Sequence, residues 1–242
     1  GQDAAHKAIY PNQQKGRLFE KKEYRQALQY LAYNFAKESH ALLGNPNFSN
    51  QDGQVFLPFQ AGRIDDSEVV MKVEQGKQYV DELKRAAKDS PIVLLETQEV
   101  SIRKFLESVG LTISEKSRVV SKSDLINAIY NGQEADIIPG AFGVASGDPD
   151  GIYHLLGPQG AIASPMLKNK KVGDILEDGR KIVNRSEIDP FYKEVSRIIL
   201  EEAPIIHIGF VKSVAIYRND KVEVAGRMLR RNEGHLFIYK AK

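Results

Sequence analysis

The sequence predicts an α/β fold, a mixed sheet flanked by helices, and three observations carry that expectation. Amphipathic helical patterns alternate with short apolar runs over the first 140 residues, as when helices cover a sheet. From Ile205 onward the pattern turns to strands. No segment repeats with a period of about 20–50 residues, which excludes solenoids and propellers.

Composition sets the outer bounds. The chain has 242 residues, 42% hydrophobic and 27% charged, close to globular averages, so a packed core is expected rather than wholesale disorder. Lys plus Arg number 34 against 32 Asp plus Glu, a net charge of +2. A nucleic-acid binder normally shows a basic excess, and none is present. No apolar run approaches the ~20 residues that span a bilayer. Without cysteine there is no disulfide, thiol nucleophile or Cys-ligated metal. The start, Gly1-Gln2-Asp3-Ala4-Ala5-His6, has neither a basic n-region nor an apolar h-region. It also lacks Met, as a piece excised from a longer chain would.

The elements follow in order. Over 21–43, Tyr24, Ala27, Leu28, Leu31, Ala32 and Phe35 recur at helical spacing on one face. Residues 44–63 read as a loop carrying Phe48, Phe56 and Phe59, rings that either anchor it to the core or line a pocket. Asp66 or Ser67 caps a helix over 67–88. Pro91–Glu96 reads as a buried strand, and 98–109 as a helix ended by Gly110. Leu111–Ile113 and Val119–Val120 are strand candidates. Ser121 or Ser123 caps a helix through Tyr130, with Gly132 after it. Asp136–Pro139 is a short strand, and the Gly- and Pro-rich stretch 140–166 a loop. Helices follow at 171–183 and 190–202, the second with Asp189 as N-cap, Pro190 as N1 and Pro204 as stop. The strand candidates of the tail are Ile205–Phe210, Val214–Tyr217, Val222–Val224 and Leu236–Tyr239.

Most catalytic signatures are missing. There is no Gly-x-Ser-x-Gly elbow and no phosphate loop. Gly140, Gly143 and Gly147 do not fit a dinucleotide fingerprint. His6, His40, His154, His207 and His235 show no zinc-site spacing. Of the carboxylate pairs, Asp65-Asp66 and Glu201-Glu202 are adjacent in sequence and point apart on a helix. Asp148-Pro149-Asp150-Gly151 is a strong turn signal.

Three segments together carry a resemblance. Phe19 to Ala32 contains Glu23-Tyr24-Arg25-Gln26-Ala27-Leu28. Gly140 to Ile152 contains Gly140-Ala141-Phe142-Gly143-Val144-Ala145-Ser146-Gly147-Asp148-Pro149-Asp150. The third runs from Asp174-Ile175-Leu176-Glu177 through Phe191–Val195 to Glu201-Glu202-Ala203-Pro204-Ile205-Ile206. In order and spacing, over roughly residues 9–210, they resemble extracellular solute-binding proteins of the oligopeptide/dipeptide/nickel type, the receptor components of ABC importers.

The resemblance implies one lobe of a two-lobed, type II periplasmic-binding-protein-like fold. Residues 1–12 would be a crossing segment from an absent N-terminal lobe, 13–205 the C-terminal ligand-binding lobe, and 206–242 a returning β-rich tail. It implies a binding protein rather than an enzyme, with no catalytic residue, metal or cofactor. Its partners would be a small solute such as a peptide, an ABC permease in the membrane and the N-terminal lobe of the same parent chain, with no nucleic acid. Its place would be periplasmic or extracellular, membrane-associated through the permease. Ligand contacts fall on Phe142, Gly143, Val144, Ala145, Ser146 and Asp148, with Asn45, Phe48 and Phe56 on the opposite rim. Two positions depart from the pattern. Phe142 stands where the family has Trp, and Ala145 where peptide binders place the Asp that pairs with an α-amino group. A buried ammonium needs a partner, so either Asp148 supplies the charge, or the ligand is neutral or differently charged, or the lobe has lost ligand selectivity. The alternatives are a ligand-sensing domain of a cytoplasmic transcription regulator, a stand-alone α/β enzyme using Asp148, His154 or His207, and an interaction lobe with no small ligand.

Overall fold

The structure is a computed structural model that describes residues 4–39, 49–50, 52–98, 100–132, 135–144, 148–212, 222–224 and 239–241. Its framework is a sheet. Strand β1 (Ala4–Pro11) is central and pairs antiparallel with β5 (Ile137–Val144) on one side and β6 (Ile206–Lys212) on the other. The short β2 (Ser49–Asn50) pairs antiparallel with the far side of β6. Beyond β5 the direction changes. Leu94 bridges Ile137 in parallel, and β3 (Leu95–Glu96) runs parallel to β4 (Arg118–Val119). The sheet is therefore mixed. A separate ribbon joins β7 (Val222–Val224) to β8 (Tyr239–Ala241). The strand expected at Val214–Tyr217 lies outside the described residues.

Alternation along β1 splits the core in two, because successive side chains point to opposite faces. Ile9 joins Ile137, Ile206, Ile208, Ile92 and Leu94 on one face. That face is covered by α1 (Lys22–Ser39), α3 (Val80–Asp89) and α4 (Arg103–Ser108) through Ala27, Leu28, Leu83, Phe105 and Leu106. Ala8, Tyr10 and Ile138 look the other way. They pack under α2 (Asp66–Glu74), α5 (Lys122–Asn131), α6 (Tyr153–Leu156), α7 (Lys170–Gly179) and α8 (Arg185–Glu202) through Val69, Leu125, Leu156, Leu176, Val195 and Ile199.

Several elements differ from the sequence expectation. The helix expected over 67–88 is broken into α2, a 3-10 turn over Gln75–Tyr79, and α3. The break falls where Gly76 lies on α1: a Cβ there would stand 2.1 Å from the Gln26 carbonyl oxygen. Helix α4 starts at Arg103 rather than 98, because the buried Glu96 carboxylate holds the preceding segment. It accepts from the Ser101 hydroxyl (2.7 Å) and the Ile102 N–H (3.2 Å) and pairs with Arg103 (3.2 Å).

Strand β5 runs on to Val144, where a loop was expected from residue 140. Its pairing with β1 is unbroken over eight residues, and Gly140 permits it, since a Cβ there would sit 2.5 Å from the Tyr10 ring. Helix α7 ends at Gly179 rather than 183. Helix α8 is capped by Asn184, whose side chain accepts from the Ser186 N–H at 3.1 Å, and not by Asp189. Pro190 sits inside α8 at the cost of one main-chain bond. Asp189 instead accepts from the Gly62 N–H at 2.9 Å. Helix α5 matches its expectation, with Ser121 as N-cap and Gly132 left-handed at φ 64°.

Candidate functional site

Register places three strand ends together. Ala4, which opens β1, is opposite both Val144, the last residue of β5, and Lys212, the last of β6. His6 is opposite Phe142 and Phe210, and Ser49 of β2 is opposite Val211. The strands that carry the chain into and out of the sheet thus share one end with Phe142, Gly143 and Val144. A register shift between Lys7 and Ala8, which leaves Ile208 unmatched, separates this end from the rest of the β1–β6 ladder. Such bulges add twist and commonly re-aim a strand end.

Beneath this end lie two buried imidazoles. The rings of His6 and His207 meet edge to face, with centroids 5.5 Å apart, and His6 also meets Phe210 at 6.3 Å. Burial, reinforced by the Arg63 charge, pushes His6 down from 6.5 to about 4. Burial, with His6 beside it, holds His207 well below its ordinary value. Both are neutral near pH 7.

The segment 52–63 packs against this end. Leu57 is fully buried against Phe210. Gln54 donates to the Ile64 carbonyl (2.7 Å) and to Asp66 (2.9 Å), while Arg63 donates to the Phe56 carbonyl (3.1 Å) and to Asp52 (2.9 Å). Phe56, placed by the sequence reading on the rim, is buried; its ring meets Tyr192 edge to face at 5.7 Å and anchors the loop to the core.

Asp148 caps a 3-10 turn over Pro149–Ile152, and its carboxylate accepts from the Asp150 N–H at 2.9 Å. Its carbonyl accepts from Gln60 Nε2 at 3.2 Å, which ties this turn to the 52–63 segment. Asp150 anchors the turn from behind. It pairs with Arg180 at 3.3 Å, and Arg180 lies 4.0 Å over the Tyr153 ring, whose hydroxyl donates to Glu177. Burial raises Asp150, with Arg180 opposing. Asn45, Phe48, Ala145 and Ser146 lie outside the described residues, and of Phe142, Gly143 and Val144 the main chain alone is described.

The sequence reading passed over Gln60 and Leu57, and nothing local marks either: one acts across 88 residues, the other through Phe210. Among the described residues no three His, Asp or Glu side chains are grouped to hold a metal ion. No helix among them is long and apolar enough to cross a membrane.

No protein-family model matches the sequence, and no curated protein does. Solved structures do match the fold. The murein tripeptide binding protein MppA of Escherichia coli superposes with a TM-score of 0.65 at 18% identity, over 86% of this chain and 42% of its own. AgaA of A. tumefaciens R10, in complex with agropinic acid, gives a TM-score of 0.61 at 17% identity, over 86% and 45%. A peptide-binding protein of a peptide ABC transporter gives 0.68 at 14% identity, over 86% of this chain and 99% of its own. The chain spans less than half the length of MppA and AgaA. The likeness is one of fold: this chain has the mixed α/β fold of one part of the type II ABC-transporter substrate-binding proteins.

Proposed function

We propose that the chain is the C-terminal lobe of the substrate-binding component of an ABC importer, outside the cytoplasm. Residues 1–12 cross from an N-terminal lobe, 13–205 form the ligand-binding lobe, and 206–242 return. The observation that carries the reading is the meeting of Ala4, Val144 and Lys212 at one sheet end. A hinged clamp needs its crossing strands beside its binding edge, and here β1 and β6, by which the chain enters and leaves the sheet, lie in that order beside the segment that the resemblance marks as ligand-binding. The cargo is a peptide or a similar small solute, held between two lobes and delivered to a membrane permease. No bond is made or broken. The ligand shifts an open–closed equilibrium by its differential affinity for the closed state.

On this reading the main chain of Phe142, Gly143 and Val144 with Ala145 and Ser146 forms one wall. Asp148 supplies a charge, and Asn45 and Phe48 lie on the opposite rim. The test is a thermal-shift screen of the intact protein carrying this chain against short peptides, sugars and nickel chelates, followed by calorimetry. A peptide hit whose affinity falls about tenfold with Asp148→Ala supports both the reading and the residue, since a charge-assisted contact is worth roughly that much. A peptide hit with unchanged affinity removes Asp148 from the site. No stabilisation by any probe class counts against the substrate-binding reading.

A further inference from the structure

We propose that Phe59 is a cargo-contacting residue and that it receives an apolar or aromatic side chain of a peptide; the proposal rests on the substrate-binding reading above. Phe19, Phe56, Phe105 and Phe210 are buried, whereas Phe59 is 46% exposed. The ring is outside because its turn is locked. The Gln60 N–H donates to the Leu57 carbonyl at 2.9 Å, and the Leu57 N–H donates to Gln60 Oε1 at 2.9 Å. Pro58, at the second position of this four-residue turn, pre-sets the backbone. Leu57 and Gln60 are both buried, so Pro58 and Phe59 project as a fixed tip from a seated base.

The tip is also placed. Leu57 packs on Phe210, which is opposite His6 at the sheet end. Gln60 Nε2 holds the carbonyl of Asp148, four residues beyond the end of β5. The turn therefore joins β6, near its end, to the Asp148 turn that follows β5 in the chain. Its base is Leu57 and Phe210, and the imidazoles below are neutral. The nearby cation, Arg63, is committed to Asp52 and to the Phe56 carbonyl. A fixed aromatic tip on a neutral base favours an apolar group over a charged one. A half-exposed ring also gains on being covered, at about 25 cal/mol for each Å² of apolar surface removed from water.

The chain has no tryptophan, so Phe59→Trp in the intact protein carrying this chain supplies a reporter within this lobe. The probes are the tripeptides Ala-Phe-Ala, Ala-Ala-Ala, Ala-Lys-Ala and Ala-Glu-Ala. Calorimetry on the wild type is expected to rank Ala-Phe-Ala first. Phe59→Ala is expected to weaken Ala-Phe-Ala about tenfold and Ala-Ala-Ala by less than about threefold, with an unchanged melting temperature without peptide. Emission of Phe59→Trp, compared with the wild type under the same additions, is expected to shift to the blue with Ala-Phe-Ala. If the wild type binds these peptides but Phe59→Ala binds all four equally well and the Trp signal is unmoved, this proposal falls and the peptide-binding reading stands. If the wild type binds none of them, the peptide reading falls and takes this proposal with it.

Discussion

Arg25 Nε donates to the main-chain carbonyl of Glu202 at 3.0 Å, so a side chain on the buried face of α1 caps the C-terminus of α8. Two neighbours do the same: Gln26 donates to the Glu201 carbonyl at 2.8 Å and Gln29 to the Leu200 carbonyl at 3.0 Å. The last carbonyls of a helix have no partner within it, and here one face of a crossing helix supplies three. The Arg-Gln-Ala and Glu-Glu-Ala-Pro segments, far apart in sequence, are two halves of one junction. The two acids sit at the unfavourable, negative end of α8. Lys171 offsets them at 2.9 Å from Glu201 and 3.3 Å from Glu202.

Arg25→Ala is expected to destabilise the chain by about 3 kcal/mol. The guanidinium is buried and also donates to the carbonyls of Phe19 (3.0 Å) and Glu20 (2.8 Å). Burial lowers it from 12.5 to about 10, which leaves it cationic at neutral pH. Its removal strands three main-chain acceptors, the Phe19 carbonyl fully buried and the other two partly so, at ~1 kcal/mol each. Urea denaturation measures the loss, and Arg25→Lys should recover little, because one ammonium cannot reach acceptors on both sides. A loss below about 1 kcal/mol would show that the junction contributes little.

The same junction shows what the sequence could and could not reveal. The inward face of α1 was legible because Tyr24, Ala27, Leu28 and Ala32 repeat at helical spacing, and the Ser121 cap because its partner, Asp124, is three residues away. That Arg25 and Gln26 bind the end of α8 was not legible, since those acceptors lie more than 170 residues on. The short α4 was misread because Glu96, outside the helix, takes the Ile102 N–H. The extent of β5 was misread because glycine and proline weaken a strand pattern, while the decisive fact, Tyr10 crossing Gly140, is non-local. At the candidate site the Asp148 turn was legible from its residues. The link through Gln60 to the 52–63 segment was not.

Gly76→Ala is expected to cost at least 2–3 kcal/mol, well above the propensity of the residue itself, which would favour alanine. The added Cβ would meet main-chain atoms at 2.1 Å and 2.5 Å, on Gln26, and a main chain cannot rotate away. The 3-10 turn must back off from α1, which opens the junction beside Arg25. A thermal melt that moves by less than about 2 °C would contradict so close a packing.

Gln60→Ala separates seating from stability. The buried Leu57 N–H and the carbonyl of the exposed Asp148 lose their hydrogen bonds, for an expected loss of about 1–2 kcal/mol. The cost in affinity should be proportionately larger for any ligand held between the 52–63 segment and the Asp148 turn, because both walls lose their registration. Calorimetry of the intact protein with its best peptide, beside urea denaturation, checks this. Weaker stability with unchanged affinity would place ligand contacts elsewhere.

Stability is expected to fall with pH below neutrality, and His6 sets part of the slope. The unfolded chain protonates this imidazole near 6.5, the folded chain only near about 4. Between those values the unfolded state binds more protons, so the free energy of unfolding decreases as pH decreases. The contribution of His6 is fully present above pH 6.5, is reduced by about 2 kcal/mol at pH 5, and approaches a loss of ~3 kcal/mol at pH 4. His207 is depressed for the same reason and steepens the fall. Arg63 opposes a charge on His6, and His6 opposes a charge on His207, so protonating one ring opposes protonating the second. Urea denaturation at pH 7 and pH 5 tests this on the wild type and on His6→Gln, which cannot titrate. The carboxylates are common to both, so the difference in slope isolates the imidazole. Equal slopes would mean that His6 takes up its proton in the folded state at an ordinary pH, and the sheet end would then be open to water.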